Sequence, residues 1–228
     1  MRIIIVTDAW FPQVNGVVRT LDTLSKGLEE AGNEVSFITP ALFRTVPCPS
    51  YPEIRLSLPP PGRIGRLIEK FQPCAIHIAT EGPLGLFARR YCMKKNYPFT
   101  TAFHTRFPEY VYARWRVPLS IGYMAMKHFH RPAACTMVAT PSMESMLRER
   151  GFNNIHRWSR GVDTDLFHPR DKNFLTYPRP INLYVGRVAV EKNIEAFLSL
   201  DLEGTKVVVG SGPQTKTFKS RYPDVRFE

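Results

Sequence analysis

The sequence has no CxxC pair and no cysteine spaced from a histidine as zinc ligands are. Its four cysteines, Cys48, Cys74, Cys92 and Cys135, stand singly and read as the reduced cysteines of a cytosolic protein. No run of about 18 apolar residues occurs, so no spanning helix is expected and any membrane contact is peripheral. The N-terminus lacks the long apolar segment of a signal peptide and enters a strand directly. There is no short-period repeat and no low-complexity tract. Helix-turn-helix, RRM and zinc-finger patterns are absent, which argues against a nucleic-acid-binding protein. His128 and His130 flank Phe129 without a third ligand, so no metal site is expected.

What is present is charge. The 228 residues carry a formal net charge of +11, which attracts phosphates, nucleic acid or an anionic membrane, or else serves only solubility. The apolar and charged fractions, 43% and 22%, are ordinary for a globular protein, so a packed core is expected. The length exceeds one typical small domain and falls short of two full ones.

The β-branched run Ile3-Ile4-Ile5-Val6 predicts a buried strand. Val17, Leu21, Leu24 and Leu28 then recur at helical spacing, with Gly32 and Asn33 as a stop signal. A second strand begins at Val35. This β-loop-α-β opening predicts an α/β fold with a parallel sheet. Its further strands are expected at 54–58, 75–79, 99–103 and 135–140. Helices are expected around 63–71, 83–96 and 119–129, and another is expected after Ser142 as N-cap, ending near Gly151. The proline-rich stretch 47–61 reads as a loop. The polar stretch 163–180, with Pro169, Pro178 and Pro180, predicts an interdomain linker. A new βαβ pattern follows, with strands at 181–185 and 206–209 and a helix at 191–200. The expected organisation is a domain over 1–162, a linker over 163–180, and the start of a second domain over 181–228.

Open parallel sheets bind ligands at the carboxyl ends of their strands, so the loops there hold the candidate residues. After the first strand, Asn15-Gly16 opens a helix, where free backbone N–H groups and the helix dipole favour an anion. The loop is not GxGxxG, and a plain turn is the alternative. After the strand at 99–103 comes His104, whose imidazole can hydrogen-bond a sugar hydroxyl in either direction, depending on tautomer, or is a structural hydrogen-bonder, as a lone histidine more often is. His77, inside a strand, reads as structural. After the strand at 181–185, Arg187 and Lys192 suit a diphosphate, or are two solvated charges. Gly210 and Gly212 allow close approach of a ligand, or make a tight turn.

Five stretches in order carry a resemblance over practically the whole chain. They are Asp8-Ala9-Trp10-Phe11-Pro12-Gln13-Val14-Asn15-Gly16-Val17, His77-Ile78-Ala79-Thr80-Glu81-Gly82-Pro83-Leu84-Gly85, and Thr101-Ala102-Phe103-His104-Thr105-Arg106-Phe107-Pro108-Glu109-Tyr110. Trp158-Ser159-Arg160-Gly161-Val162-Asp163-Thr164-Asp165-Leu166-Phe167 and Tyr184-Val185-Gly186-Arg187-Val188-Ala189-Val190-Glu191-Lys192-Asn193 complete the set. The chain resembles the GT4 family of retaining glycosyltransferases, nearest to bacterial GDP-mannose-dependent α-mannosyltransferases. The resemblance implies a GT-B fold, with acceptor on the first domain and nucleotide-sugar donor mostly on the second.

It further implies that His104 touches the donor sugar near the reacting carbon. The Gly16 loop would lie over the donor phosphates and acceptor. Arg187 and Lys192 would hold the diphosphate and help it leave, with no metal and no other cofactor. A lipid or glycan acceptor and an anionic membrane surface are the implied partners, on the cytoplasmic side of the cell membrane. Basic residues cluster at Arg63, Arg66 and Lys70, and at Arg89, Arg90, Lys94 and Lys95; they suit such a surface, or each cluster is a solvated helix face. Two departures stand out. Ser211 occupies a position where the family often has Asp, and the family's two-glutamate motif is expected beyond Glu228. The expectation is therefore a C-terminally truncated chain of weak or no activity. A non-catalytic membrane- or glycan-binding module is the alternative.

Overall fold

In the computed structural model, residues 1–48, 51–171 and 174–228 are described. The order of elements is β1 (Arg2–Val6), α1 (Gly16–Glu30), β2 (Glu34–Ile38), β3 (Thr45–Cys48), β4 (Tyr51–Ser57), α2 (Arg63–Phe71), β5 (Ala75–Ile78), α3 (Pro83–Lys95) and β6 (Thr100–Ala102). Then follow α4 (Phe107–Trp115), α5 (Leu119–His130), β7 (Cys135–Val138), α6 (Pro141–Glu149), β8 (Ile155–Arg157), β9 (Ile181–Val185), α7 (Glu195–Leu198), β10 (Thr205–Val209), α8 (Thr215–Arg221) and β11 (Arg226–Phe227).

The chain divides into two compact units. One comprises Met1–Glu109 and Val117–Gly161, the other Tyr110–Arg116 and Val162–Glu228. In the first, six strands pair in the order β2-β1-β5-β6-β7-β8, all parallel. The apolar run of β1 is continuous because both faces of the sheet are covered. Ile4 and Val6 pack with Ile64 and Ile68 of α2 and Leu84 and Ala88 of α3, while Ile5 packs with Leu21 of α1. The strand order reverses between β1 and β5, so the crevice expected to take a ligand opens at the carboxyl ends of those strands.

In the second unit, β11-β10-β9 form a separate parallel sheet. Val188, Ile194, Leu198, Val208, Phe218 and Val225 form its core.

Several sequence-based expectations are corrected. The strand expected at 54–58 does not join the parallel sheet. As part of β4 it pairs antiparallel with β3, so much of the stretch read as a loop is a hairpin; Pro49 and Ser50 of that stretch lie outside the described residues. The two strands each carry one proline and still build a two-stranded ribbon, because prolines are tolerated at sheet edges. The N-cap of α6 is Thr140, not Ser142: Thr140 Oγ1 accepts from the Met143 amide at 3.2 Å, and Pro141 occupies the first turn, where its missing N–H costs nothing. The helix expected at 191–200 is a 3-10 turn, Val190–Lys192, followed by the single turn of α7. Asn193 breaks it by adopting a left-handed conformation. Between β8 and β9 the described residues form turns and irregular structure, and Asp163 Oδ1 accepts from the Asp165 and Leu166 amides. Lys172 and Asn173, within the expected linker, lie outside the described residues.

Candidate functional site

The loop after β1 is built on Asp8, the first acidic residue past the apolar run. Its carboxylate is buried and accepts from the Leu84 and Gly85 amides at 2.9 and 3.3 Å and from Thr80 Oγ1 at 2.9 Å. The Asp8 amide in turn donates to Thr80 Oγ1 at 2.7 Å. Gly82, the residue before α3, has no side chain to cap that helix, and Asp8 performs this task from the loop after β1. Burial raises the Asp8 pKa, against the lowering effect of the Leu84 amide, the Thr80 hydroxyl and the Gly85 amide. These bonds join the two loops that flank the switch point.

Asn15 ends the same loop and caps α1. Its Oδ1 accepts from the Val17 and Val18 amides, both at 3.0 Å. Gly16 starts the helix, and a Cβ added there would meet nothing within 4 Å. Packing therefore does not require glycine at this position, and the space beside its backbone is open.

Next to Asp8's partners, Glu81 and His130 form a buried pair. Glu81 Oε1 lies 3.2 Å from His130 Nε2, with side chains 5% and 0% exposed. His130 Nδ1 contacts Thr101 Oγ1 at 2.9 Å, and Thr101 contacts Thr136 at 3.2 Å. A carboxylate only accepts, so Nε2 donates to Glu81. The chain of bonds runs from the β5 loop through the end of α5 to β6 and β7. It satisfies groups whose burial alone would be costly.

His104 follows β6. Arg160 Nη2 donates to its Nδ1 at 2.7 Å, and the Trp158 ring packs edge-on at 6.3 Å between centroids. The His104 Nε2 is buried and has no hydrogen-bond partner among the described residues. Burial first, then Arg160 and the nearby His77 and His130, push the imidazole down to about 3. His77 contacts Thr100 Oγ1 through Nδ1 at 2.8 Å, and its buried Nε2 also lacks a partner among the described residues. Burial pushes it down to about 4. Among the described residues no cluster of three metal-ligating side chains exists. Surface cavities of about 430 and 450 Å³ are lined elsewhere, by residues such as Gln72 and Tyr97, and Tyr123 and Arg150.

In the second unit the loops after β9 and β10 press together. Gly186 N donates to Val209 O at 3.0 Å, and Val188 N to Ser211 O at 3.0 Å. Gly210 has φ +134°, and a Cβ there would lie 2.2 Å from Gly186 O; at Gly212 it would lie 2.3 Å from Val188 O. Backbone meeting backbone explains both glycines without a ligand. Arg187 is partly buried, its carbonyl accepting from Tyr184 Oη at 2.9 Å, whereas Lys192 is exposed in the 3-10 turn.

Of the basic clusters, Arg63, Arg66, Lys70, Arg90, Lys94 and Lys95 are exposed. Arg89 is committed elsewhere: it donates to the His128 and Phe129 carbonyls, both at 2.8 Å, at the end of α5. No helix among the described residues is long and apolar enough to cross a membrane.

The parallel first sheet with its switch-point crevice, followed by a second parallel β-α-β unit, is an α/β architecture of the GT-B glycosyltransferase type. The solved sucrose-phosphate synthase of Thermosynechococcus elongatus shares it, with a TM-score of 0.72 at 18% identity, over 100% of this chain and 70% of that one. The family model of Glycosyltransferase Family 4 matches residues 14–166, and the chain belongs to that family.

Curated relatives include a GDP-mannose-dependent alpha-mannosyltransferase of Mycobacterium tuberculosis, 27% identical over 100% of this chain and 67% of that protein. The sulfoquinovosyl transferase SQD2 of Arabidopsis thaliana is 28% identical over 89% of this chain and 45% of its own length. The chain thus spans about two thirds of the first relative and less than half of the second.

Roles for Asp8, Thr80, Glu81, His130 and Arg160 were not legible from spacing. Each of the first three is a polar residue just past an apolar strand, which is the one signal that marks them in the sequence.

Proposed function

We propose that this chain supplies the acceptor-side part and the opening of the donor-side part of a retaining hexosyltransferase. The enzyme moves a sugar from a nucleotide-sugar, with GDP-mannose the first donor to test, to a lipid or glycan acceptor. The single observation that carries this reading is His104, whose buried Nε2 has no partner among the described residues and which follows β6, the strand next to β5. A hydroxyl-rich ligand is the kind of group such a nitrogen recognises.

His104 hydrogen-bonds the donor sugar. Asn15 and Gly16 bring the α1 terminus to the phosphates or acceptor; Asn15 Oδ1 already takes the Val17 and Val18 amides, so the helix dipole is what favours negative charge there. Arg187 and Lys192 hold the diphosphate and stabilise its departing charge, so no metal and no cofactor is required. Gly210 and Gly212 shape the nucleotide-side turn. The names of the relatives support a sugar donor, and two of the proteins matched are alpha-monoglucosyldiacylglycerol synthases, which support a lipid acceptor. The exposed cations of α2 and α3 favour work at an anionic membrane surface.

The experiment compares sugar transfer and nucleotide release by these 228 residues and by a version extended with the C-terminal segment of a relative. The chain alone turns over slowly or not at all. The extension restores transfer, and Arg187→Ala or Lys192→Ala abolishes it. Equal turnover by both forms overturns the expectation of a weak chain, and no transfer from any nucleotide-sugar by a folded extended form overturns the function.

A further inference from the structure

We propose that Arg160 is a positioning residue that locks His104 in its Nε2–H form, so that the imidazole offers one buried donor to a sugar oxygen and cannot serve as a base. The inference rests on the reading of His104 as sugar-facing, and it adds the direction of the hydrogen bond and the residue that sets it.

A guanidinium carries five N–H donors, no acceptor, and does not lose its proton in a protein. Burial lowers the Arg160 pKa from its high ordinary value but leaves the group a cation. At 2.7 Å from Arg160 Nη2, His104 Nδ1 must therefore present its lone pair. A neutral imidazole has a single ring proton, which then sits on Nε2. The doubly protonated ring would set an Nδ1–H against the guanidinium donors, donor against donor and cation against cation. Both effects oppose charging, as does burial.

The Nε2–H is left buried and without a partner among the described residues. An unpaired buried donor is costly, and a ligand oxygen that meets it removes the cost. A hydroxyl or ring oxygen of a hexosyl group has the required lone pairs. An ammonium or another N–H donor has none and is disfavoured. The position of Arg160 is set locally: the Trp158 amide donates to Val138 O at 2.8 Å, tying the strand that leads to Arg160 onto β7, and the Trp158 ring packs against His104. A proton-abstracting role for His104 is excluded, because neither ring nitrogen is free to take a proton.

The test is the tautomer itself, read by two-bond 1H–15N correlation on the 228-residue chain labelled in its histidine rings. His104 is assigned from the signal lost in His104→Gln. The wild-type ring is expected to carry its proton on Nε2 alone and to stay neutral from pH 8 to pH 5. In Arg160→Met the ring is expected to populate both tautomers and to begin titrating within that range. Arg160→Lys, which keeps a cationic donor, restores the Nε2–H signature. Unchanged His77 and His130 signals establish that each variant is folded.

A wild-type ring protonated on Nδ1 overturns the proposal. So does an Arg160→Met ring that remains purely Nε2–H. Should Arg160→Met fail to fold, the wild-type tautomer and the Arg160→Lys spectrum decide alone. None of these readings requires a substrate, so the proposal can fail while the glycosyltransferase reading stands, and the reverse.

Discussion

The first strands of the two units make an instructive pair. Both β1 and β9 have five residues, both are mostly apolar, and each opens a parallel β-α-β unit. Ile5 of β1 is 1% exposed, whereas Leu183 and Val185 of β9 are 52% and 68% exposed. The difference lies in cover. β1 is flanked by β2 and β5 and sandwiched between α1 and the α2–α3 pair, while β9 is an edge strand with only its Tyr184 side packed on a core. The units also build their loops differently. The first adds side chains to a close glycine approach at Gly85, with Asp8 and Thr80 locking two loops and Glu81 and His130 bonded behind them. The second uses glycines that let one backbone lie on another. Apolar sequence predicts where a strand will form, and the neighbours decide whether it is buried.

The sharpest way to break this comparison is to add a methyl group to each unit. In Gly85→Ala the new Cβ would sit 1.9 Å from Thr80 O, in the loop held by Asp8. In Gly210→Ala it would meet Gly186 O at 2.2 Å from a left-handed conformation that alanine adopts poorly. Each is expected to lose about 3 kcal/mol or more. Amide exchange should report the loss in β5 and β6 for the first variant and in β9 and β10 for the second. Full protection in either variant would mean that close approach does not organise that loop.

Asp8→Ala removes an acceptor shared by two amides and a hydroxyl at the start of α3. The expected loss is about 2 kcal/mol, read as a lower denaturation midpoint at constant slope. Asp8→Asn keeps one acceptor oxygen and should lose less. Because Asn keeps the side-chain volume, equal losses would place the effect in the charge or the second carboxylate oxygen and not in packing.

Acidification should weaken the first unit through His77 and His104. Both have folded-state pKa values pushed below the ordinary histidine value, to about 4 and about 3. The unfolded chain therefore takes up protons first, and stability falls as pH drops below about 6.5. The decline from His77 ends near pH 4, and that from His104 continues toward pH 3. Its slope is at most about 1.4 kcal/mol per pH unit for each histidine. Denaturant unfolding at pH 7 and pH 5 should show it, and His77→Gln should make the difference smaller.

The smallest effect belongs to the exposed face of β9. Leu183→Thr and Val185→Thr remove no core contact and should change stability by less than about 0.5 kcal/mol. Together they should reduce concentration-dependent self-association in light scattering, since exposed apolar edge strands promote it. A large loss of stability would show that this face is packed in solution.

Much of the fold was legible because its signals are local. The run Ile3-Ile4-Ile5-Val6, the spacing of Val17, Leu21, Leu24 and Leu28, and the stop signal at Gly32 and Asn33 each report on a single element. The β3–β4 hairpin was missed because proline punctuation and strand alternation occupy the same residues. The short helix in the second unit was overread because Ile194, Phe197 and Leu198 repeat at helical spacing while Asn193 turns left-handed between them. At the candidate site, His104 was visible from its place after a strand and from family resemblance. Arg160 was not, because 56 residues separate it from His104 and only the fold brings them together. Buried partners such as Glu81 and His130 are likewise products of tertiary structure, since nothing in their spacing marks them as a pair.

The most direct test of the central claim is the response of the His104 Nε2 resonance to GDP-mannose, GDP and mannose, titrated separately into the folded chain. Contact with the sugar of a bound donor predicts a saturable shift with GDP-mannose and little or none with GDP. The same shift with GDP as with GDP-mannose, or no shift while GDP-mannose is shown to bind, would contradict the assignment of His104 to the sugar.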